Sequence, residues 1–322
     1  MTTTNSLPNP DDAIGQPGRD HDHAACLRDL FTPLRQLHRA GGPRPREYAD
    51  LDRYVWRLAA HLKVAHVTRD EIDAQLRSLG ASYLWGTLIG FCFLRPHGYA
   101  GDFEIIDRIH QNFVSNDRRF YRWDLYFHQL MATQAVRNRK EFFKALVQEL
   151  SQRGKPVSIL NLGSGPCRDV AEFLDTNPQS DVRFTCVDHD GDAIRYAKKA
   201  CAKHAGKVEF VRANVIRERV QGQYDLVWSA GVADYLSDRL FMVLLARARA
   251  AVAPGGELVI GNFSDRNPSR DHMEVLGRWY LRHRSRDELT SLGVSACGAA
   301  RQVYVDAEPT GVNLFLRIKA PR

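Results

Sequence analysis

A chain of 322 residues with 44% hydrophobic and 26% charged side chains holds apolar mass for about two cores, which excludes a peptide hormone, a coiled coil or a disordered tail. No uncharged apolar run reaches the roughly 18 residues of a membrane helix, the formal charge of +7 is not gathered in a basic arm, and the N-terminus has no basic start leading into an apolar stretch; a cytoplasmic protein with no membrane span is expected. Six cysteines without a C-x-x-C pair, all in apolar contexts, read as reduced packing residues rather than disulfides or zinc ligands, so no metal is expected.

Residues 1–24 lack apolar periodicity and carry turn formers, which predicts a disordered leader. From 25 to 150 the spacing is helical. Leu27, Leu30, Leu34 and Leu37 recur at three and four, as do Tyr54, Leu58 and Leu62, with Gly41-Gly42-Pro43 as the break between them. Thr68 with Glu71 three residues on has the spacing of a capping box, and the helix it opens ends near Ser78-Leu79-Gly80. An apolar run at 81–94 leads into Arg95-Pro-His97-Gly98-Tyr99-Ala-Gly101-Asp102, a tight loop. Phe142, Phe143, Leu146 and Leu150 close this helical domain.

Past Gly154 short strand-like runs at 157–162, 183–187, 208–211, 224–228 and 257–260 alternate with helical stretches at 170–175, 192–202 and 240–252. That alternation predicts an α/β domain over 151–322, a mostly parallel sheet with helices on both faces. A last pair, 301–305 and 313–318, is joined by a turn with Pro309 and Gly311 and reads as a terminal antiparallel hairpin.

The strongest chemical signal is Asn161-Leu-Gly163-Ser164-Gly165-Pro166-Cys-Arg168-Asp169, directly after the first strand and opening a helix. Its glycines let backbone approach a ligand closely, and Pro166 suits a first helical turn. Asp188 ends the second strand 25 residues after Gly163, where a carboxylate can take both ribose hydroxyls. Arg168 stands where a dinucleotide fold needs its third glycine, so pyrophosphate binding is disfavoured.

Here the chain resembles the class I S-adenosylmethionine-dependent methyltransferases, over roughly residues 150–322. The resemblance implies a Rossmann-like sheet, with the helical domain as a lid, and S-adenosyl-L-methionine as cofactor. Asn161, Gly163, Ser164 and Gly165 match the loop that holds the methionine and sulfonium. Asp188 matches the ribose ligand, and Asn214 and Val215 the adenine position. Ser229 and Gly231 match the segment beneath the cofactor, and Pro254-Gly255-Gly256 the turn before the fifth strand. Asparagine replaces the usual acidic residue at 161 and at 214. The 95–104 loop, Trp279-Tyr-Leu-Arg-His-Arg and Glu308-Pro-Thr-Gly-Val-Asn are similar to a bacterial group that includes the 3-hydroxypalmitic acid methyl ester synthases, which make a quorum-sensing signal.

The loop's Arg95, His97, Tyr99 and Asp102 are the catalytic candidates, because side chains that act on a ligand concentrate on loops held by a scaffold. A carboxylate acceptor, with a pKa of about 4–5, is already ionised at pH 7 and needs only orientation by Arg95, Arg122 or His97, with Tyr83–Leu94 as the wall of an acyl pocket. A hydroxyl or carbon acceptor needs a base, for which His97, Asp102 or Glu104 stand first. The Tyr83–Leu94 run reads first as core helix and only second as a ligand tunnel, and Asp102 has the competing assignment of a cap on the Phe103–Ile109 helix. Partners read as a small molecule, an acyl chain or an acyl carrier. Six arginines between 266 and 286 leave RNA or protein as a second acceptor class, disfavoured for want of a long basic segment. A SAM-binding regulator without turnover is a third reading.

Overall fold

The computed structural model describes residues 17–297 and 303–321. The N-terminal half is helical: α1 Pro17–Leu30, α2 Thr32–Arg39, α3 Tyr48–Lys63, α4 Arg69–Arg77, α5 Ala81–Gly86, α6 Leu88–Leu94, α7 Phe103–His110, α8 Tyr121–Gln129 and α9 Met131–Ser151. Of the expected leader, residues 1–16 lie outside the described residues. Residues 17–24 are not irregular but form the first turns of α1, which opens on Pro17, and His23 Nε2 bonds Glu71 Oε1 of α4 at 2.7 Å. A proline at the first helical position costs no hydrogen bond, so the turn formers there start a helix instead of preventing one.

The capping box is present as predicted. Thr68 N donates to Glu71 Oε2 at 2.7 Å and Glu71 N to Thr68 Oγ at 3.3 Å. Residues 81–94 take the core-helix reading rather than the acyl-pocket one, carrying Tyr83, Leu84, Leu88, Ile89, Phe91 and Phe93 into the core of the helical half. Helices apolar on nearly every side belong inside a protein. That same core takes in Phe263, Met273, Val275, Leu276 and Trp279 from the far end of the chain.

The second half runs β1 Val157–Leu162, α10 Arg168–Thr176, β2 Val182–Asp188, α11 Gly191–Ala200, β3 Val208–Arg212, β4 Tyr224–Ser229, α12 Asp238–Ala250, β5 Val252–Phe263, α13 Arg270–Val275, α14 Arg286–Cys297, β6 Val303–Ala307 and β7 Asn313–Lys319. The sheet order is β3-β2-β1-β4-β5-β7-β6. Strands β1 to β5 are parallel, and β7 lies antiparallel between β5 and β6. This is the Rossmann-like methyltransferase sheet with its terminal antiparallel pair. Leu160, Leu162, Val227, Leu258 and Ile260 face one apolar layer; Ile159, Cys186, Trp228 and Val259 face the other, against α9 and α10. Parallel strands buried on both faces require such continuous apolar runs. The chain order reverses at β1, with β2 on one side and β4 on the other, and the crevice at their carboxyl ends is where such sheets hold ligands.

Candidate functional site

The loop leaving β1 is shaped by two left-handed glycines, Gly163 (φ +67°) and Gly165 (φ +55°). A Cβ on Gly163 would sit 2.2 Å from Val232 Cγ2, so that position admits no side chain. Gly163 N and Ser164 N both donate to Val187 O, at 2.8 and 3.0 Å. Asp188 then ties the loop to the end of β2, its Oδ2 accepting from Gly165 N at 2.9 Å and its Oδ1 from Asp190 N at 3.0 Å. Pro166 does not occupy the first turn of α10. Cys167 (φ +51°) is the N-cap in a left-handed conformation, so the helix opens at Arg168 and the proline shapes the loop ahead of it.

These elements wall a cleft of about 620 Å³ between the sheet's carboxyl ends and the helical half, within the range typical of small-molecule sites. Of the predicted cofactor residues, Asn161, Gly163, Ser164, Gly165, Asp188, Asn214, Val215 and Gly231 line it. Ser229 does not: it is fully buried and its Oγ donates to Leu162 O at 2.9 Å, holding β4 to β1. Asn214 also shapes its own turn, with Oδ1 accepting from Ile216 N at 3.0 Å.

The 95–102 loop lies over this cleft, and the structure divides the four catalytic candidates. Arg95 and Tyr99 line the cleft. Arg95 donates through Nη2 to Arg278 O, and its buried Nε has no partner among the described residues. Tyr99 donates to Asp190 Oδ2 at 2.9 Å, and burial followed by that carboxylate pushes its phenol well up. His97 and Asp102 do not line the cleft. His97 Nε2 lies 3.1 Å from Glu104 Oε2, and that same Glu104 pairs with Arg108 at 2.6 Å. Asp102 is the N-cap of α7, its Oδ1 accepting from Glu104 N at 3.0 Å and Ile105 N at 2.9 Å. Two backbone donors saturate that oxygen, as a cap requires. Arg122 also points elsewhere, its Nε reaching Gly41 O at 3.3 Å.

The structure adds lining residues that sequence reasoning missed. His110 comes from α7, Arg139 and Lys140 from α9, Asp169 from α10, and Asp234 and Tyr235 from the turn after β4. Asp234 is 2% exposed, and its Oδ1 accepts from Phe263 N at 2.7 Å. Burial pushes its carboxyl up to about 7, against the pull of that bond and of Arg139 and Arg284. Burial likewise raises Asp169 to about 6, partly offset by the Val170 N–H and by Lys140 and Arg139. Tyr235 Oη donates to Ala100 O and accepts from Trp279 Nε1, both at 2.8 Å, which pins the loop to the far wall. No local pattern marks these residues. A buried acid after a strand was the available signal, and Asp234 stands three residues after Gly231 of the Ser229-Ala-Gly231 segment.

The arrangement is one continuous cleft running from the carboxyl ends of the strands to beneath the 95–102 loop. Residues 160–258 match the family described as Methyltransferase domain. The matched segment runs from within β1 to within β5. The polyketide synthase component of the compactin nonaketide synthase of Penicillium citrinum is 27% identical over 155 residues, 47% of this chain; the chain spans only 5% of that protein's length. Among solved structures, a possible exported protein from Bordetella parapertussis superposes with a TM-score of 0.61 at 17% identity, covering 96% of this chain and 100% of that one. The S-adenosylmethionine-dependent methyltransferase SibL in its apo form gives a TM-score of 0.47 at 16% identity over 94% of this chain and 98% of its own. The Bordetella likeness extends the shared fold across the helical half as well as the methyltransferase domain.

Proposed function

We propose that the chain transfers the methyl group of S-adenosylmethionine to a small-molecule acceptor enclosed beneath the 95–102 loop. The observation that carries this reading is one cleft bounded by the loops after β1, β2, β3 and β4 and closed over by Tyr99, Ala100 and Gly101. The cradle fits the donor: Gly163 leaves no room for a Cβ, and the buried Asn161 Nδ2 and Ser164 Oγ have no partners among the described residues. Asn161 to Gly165 would hold the methionine and sulfonium, Asp188 the ribose hydroxyls, and Asn214 with Val215 the adenine. The donor supplies an activated methyl group for in-line displacement.

What the chain's own residues contribute is alignment and exclusion of water. The narrower reading is O-methylation of a carboxylate, such as a 3-hydroxy fatty acid converted to its methyl ester as a quorum-sensing signal, free or delivered by an acyl carrier. Arg95, which lines the cleft and has a buried Nε without a partner among the described residues, would hold the acid, and an ionised carboxylate needs no base. One observation favours a hydroxyl or N–H acceptor instead. Asp234 is a buried cleft carboxyl near 7, suited to a general base at neutral pH.

RNA and protein acceptors lose their main support, because four of the six arginines of 266–286 are paired. Arg270 meets Glu274, Arg278 meets Asp73, and Arg282 and Arg284 share Asp238. No helix among the described residues is long and apolar enough to cross a membrane. Calorimetric titration with S-adenosylhomocysteine, followed by labelled-methyl transfer to 3-hydroxy fatty acids of increasing length, tests the proposal. Binding with ester formed supports both readings. Binding without ester removes the fatty acid, tight binding with no acceptor in any extract leaves a regulator, and no binding removes the methyltransferase.

A further inference from the structure

Beside the 95–102 loop, guanidinium groups outnumber the acids that could neutralise them. Arg95 and Arg278 both take the left-handed backbone, each at φ +51°. Arg95 is the C-cap of α6, a place where glycine usually stands, so the conformation there is borne by a residue kept for its side chain. That side chain lines the cleft, donates through Nη2 to Arg278 O and leaves its buried Nε without a partner among the described residues. Tyr280, two residues after Arg278, lines the cleft too and is 45% exposed, which puts this wall on the solvent side.

Two further guanidiniums join them. Arg77 and Arg278 lie over the Phe93 ring of α6, at 5.0 and 5.5 Å from its centre. Arg69 Nη1 donates at 2.8 Å to the carbonyl of Glu274, four residues before Arg278. One carboxylate serves this group. Asp73 Oδ1 accepts from Arg69 Nε at 2.6 Å and its Oδ2 lies 3.2 Å from Arg278 Nη1, so both oxygens are taken. Neither Arg77 nor Arg95 has a carboxylate within ion-pair distance among the described residues, and the carboxylate of Glu274 is drawn to Arg270 at 2.7 Å. Burial, followed by the charge of Arg278, holds Arg95 below its ordinary value. Four cations that share one anion repel each other, and most strongly where they are partly out of water.

We propose that Arg95, Arg77 and Arg278 form a receptor for a phosphomonoester group carried by the methyl acceptor. The inference rests on the reading of a small acceptor beneath the 95–102 loop, and it pairs with the hydroxyl or N–H form of that reading, in which Asp234 is the base. A phosphomonoester carries about two negative charges at pH 7, which matches the two guanidiniums that Asp73 leaves over, whereas a carboxylate matches one. Guanidinium forks also fit its oxygens. The phosphate would anchor the acceptor at the mouth of the cleft while its far end reaches the methyl group.

The test titrates the full chain, with and without S-adenosylhomocysteine, with phenyl phosphate and with benzoate at matched ionic strength. The two probes share a ring and differ in the anion. Phenyl phosphate is expected to bind at least about tenfold tighter than benzoate, and inorganic phosphate to displace it. Arg95→Met and Arg77→Met should each weaken phenyl phosphate by about tenfold. Arg77 is exposed, so its variant keeps the fold should Arg95→Met lose it. Arg183→Met removes an exposed guanidinium at the opposite end of β2 from the cleft and should change nothing. Benzoate binding as well as phenyl phosphate, equal losses in all three variants, or a chain that takes inorganic phosphate and excludes phenyl phosphate would each overturn the inference. A chain that binds S-adenosylhomocysteine but not phenyl phosphate overturns it alone, while one that binds phenyl phosphate but not S-adenosylhomocysteine overturns the methyltransferase reading instead.

Discussion

Gly163 is the residue where covalent geometry constrains the proposed donor loop most tightly. Its φ of +67° and the 2.2 Å approach of a Cβ to Val232 Cγ2 make Gly163→Ala strained twice over. That variant should lose S-adenosylhomocysteine binding by about 100-fold or more, and its thermal midpoint should fall by only a few degrees. Calorimetry beside a melting curve checks both, and unchanged affinity would remove the loop from the site. Asp188 behaves differently because each oxygen already accepts a backbone N–H. Asp188→Ala should therefore destabilise the fold by about 1–3 kcal/mol as well as weaken binding, since Gly165 and Asp190 lose their acceptor. Denaturant unfolding of the unliganded chain measures that part separately. Both residues were legible in the sequence, because glycine spacing after a strand and an acid ending the next strand are local patterns. Arg139, His110 and Asp234 were not. They stand on three elements, and only the packing of α7 and α9 against the end of β4 brings them to one wall.

At the scale of elements, the turn between β6 and β7 shows how one acid can organise a hairpin. Glu308 is 2% exposed, with Oε1 accepting from Val312 N and Asn313 N at 2.8 and 3.0 Å. Its Oε2 accepts from Thr310 N at 2.8 Å and from Asn138 Nδ2 of α9 at 2.7 Å. These donors hold its carboxyl below its ordinary value despite burial, which acts the other way. A depressed carboxyl stabilises the fold fully above its unfolded pKa of about 4.3 and loses that contribution as pH falls through the folded value. Glu308→Gln should lower stability by about 2–4 kcal/mol at pH 7 and by less below pH 4, so its unfolding free energy converges with wild type on acidification. Parallel curves across pH 3–7 would exclude this role. The hairpin itself, the parallel strands and the Thr68 capping box were readable, since each is encoded by neighbours in sequence. The 81–94 run was readable as buried core, but its apolar periodicity does not state against what it packs. Its partners, Trp279 and Met273 among them, come from the other end of the chain.

Across the whole molecule, the helical half and the segment after β5 share one core, and the 95–102 loop spans from that core to the methyltransferase sheet. Its polar attachments join Tyr99 to Asp190, Arg95 to Arg278 and Ala100 to Tyr235, and Ala100 also packs into the core. A loop held by hydrogen bonds worth about 1 kcal/mol each opens far more often than the cores it joins. Ligand exchange through this cleft is then set by the loop rather than by the sheet. Tyr235 is the junction, since its hydroxyl joins the loop carbonyl to the indole N–H of Trp279. Gly101 lies under the same pair, where a Cβ would meet Tyr235 Oη at 2.4 Å and Trp279 Cζ2 at 2.5 Å. Tyr235→Phe keeps the ring and removes both bonds, leaving the buried Trp279 Nε1 without its acceptor. It should speed S-adenosylhomocysteine dissociation and association alike, by about 5- to 30-fold, because the loop must open before ligand enters or leaves. Trp279 lines the cleft, so stopped-flow fluorescence reports the event directly, and Trp279→Phe identifies the source of the signal. Equal dissociation rates for Tyr235→Phe and wild type would mean that the cleft opens elsewhere, leaving the loop a fixed wall instead of a gate.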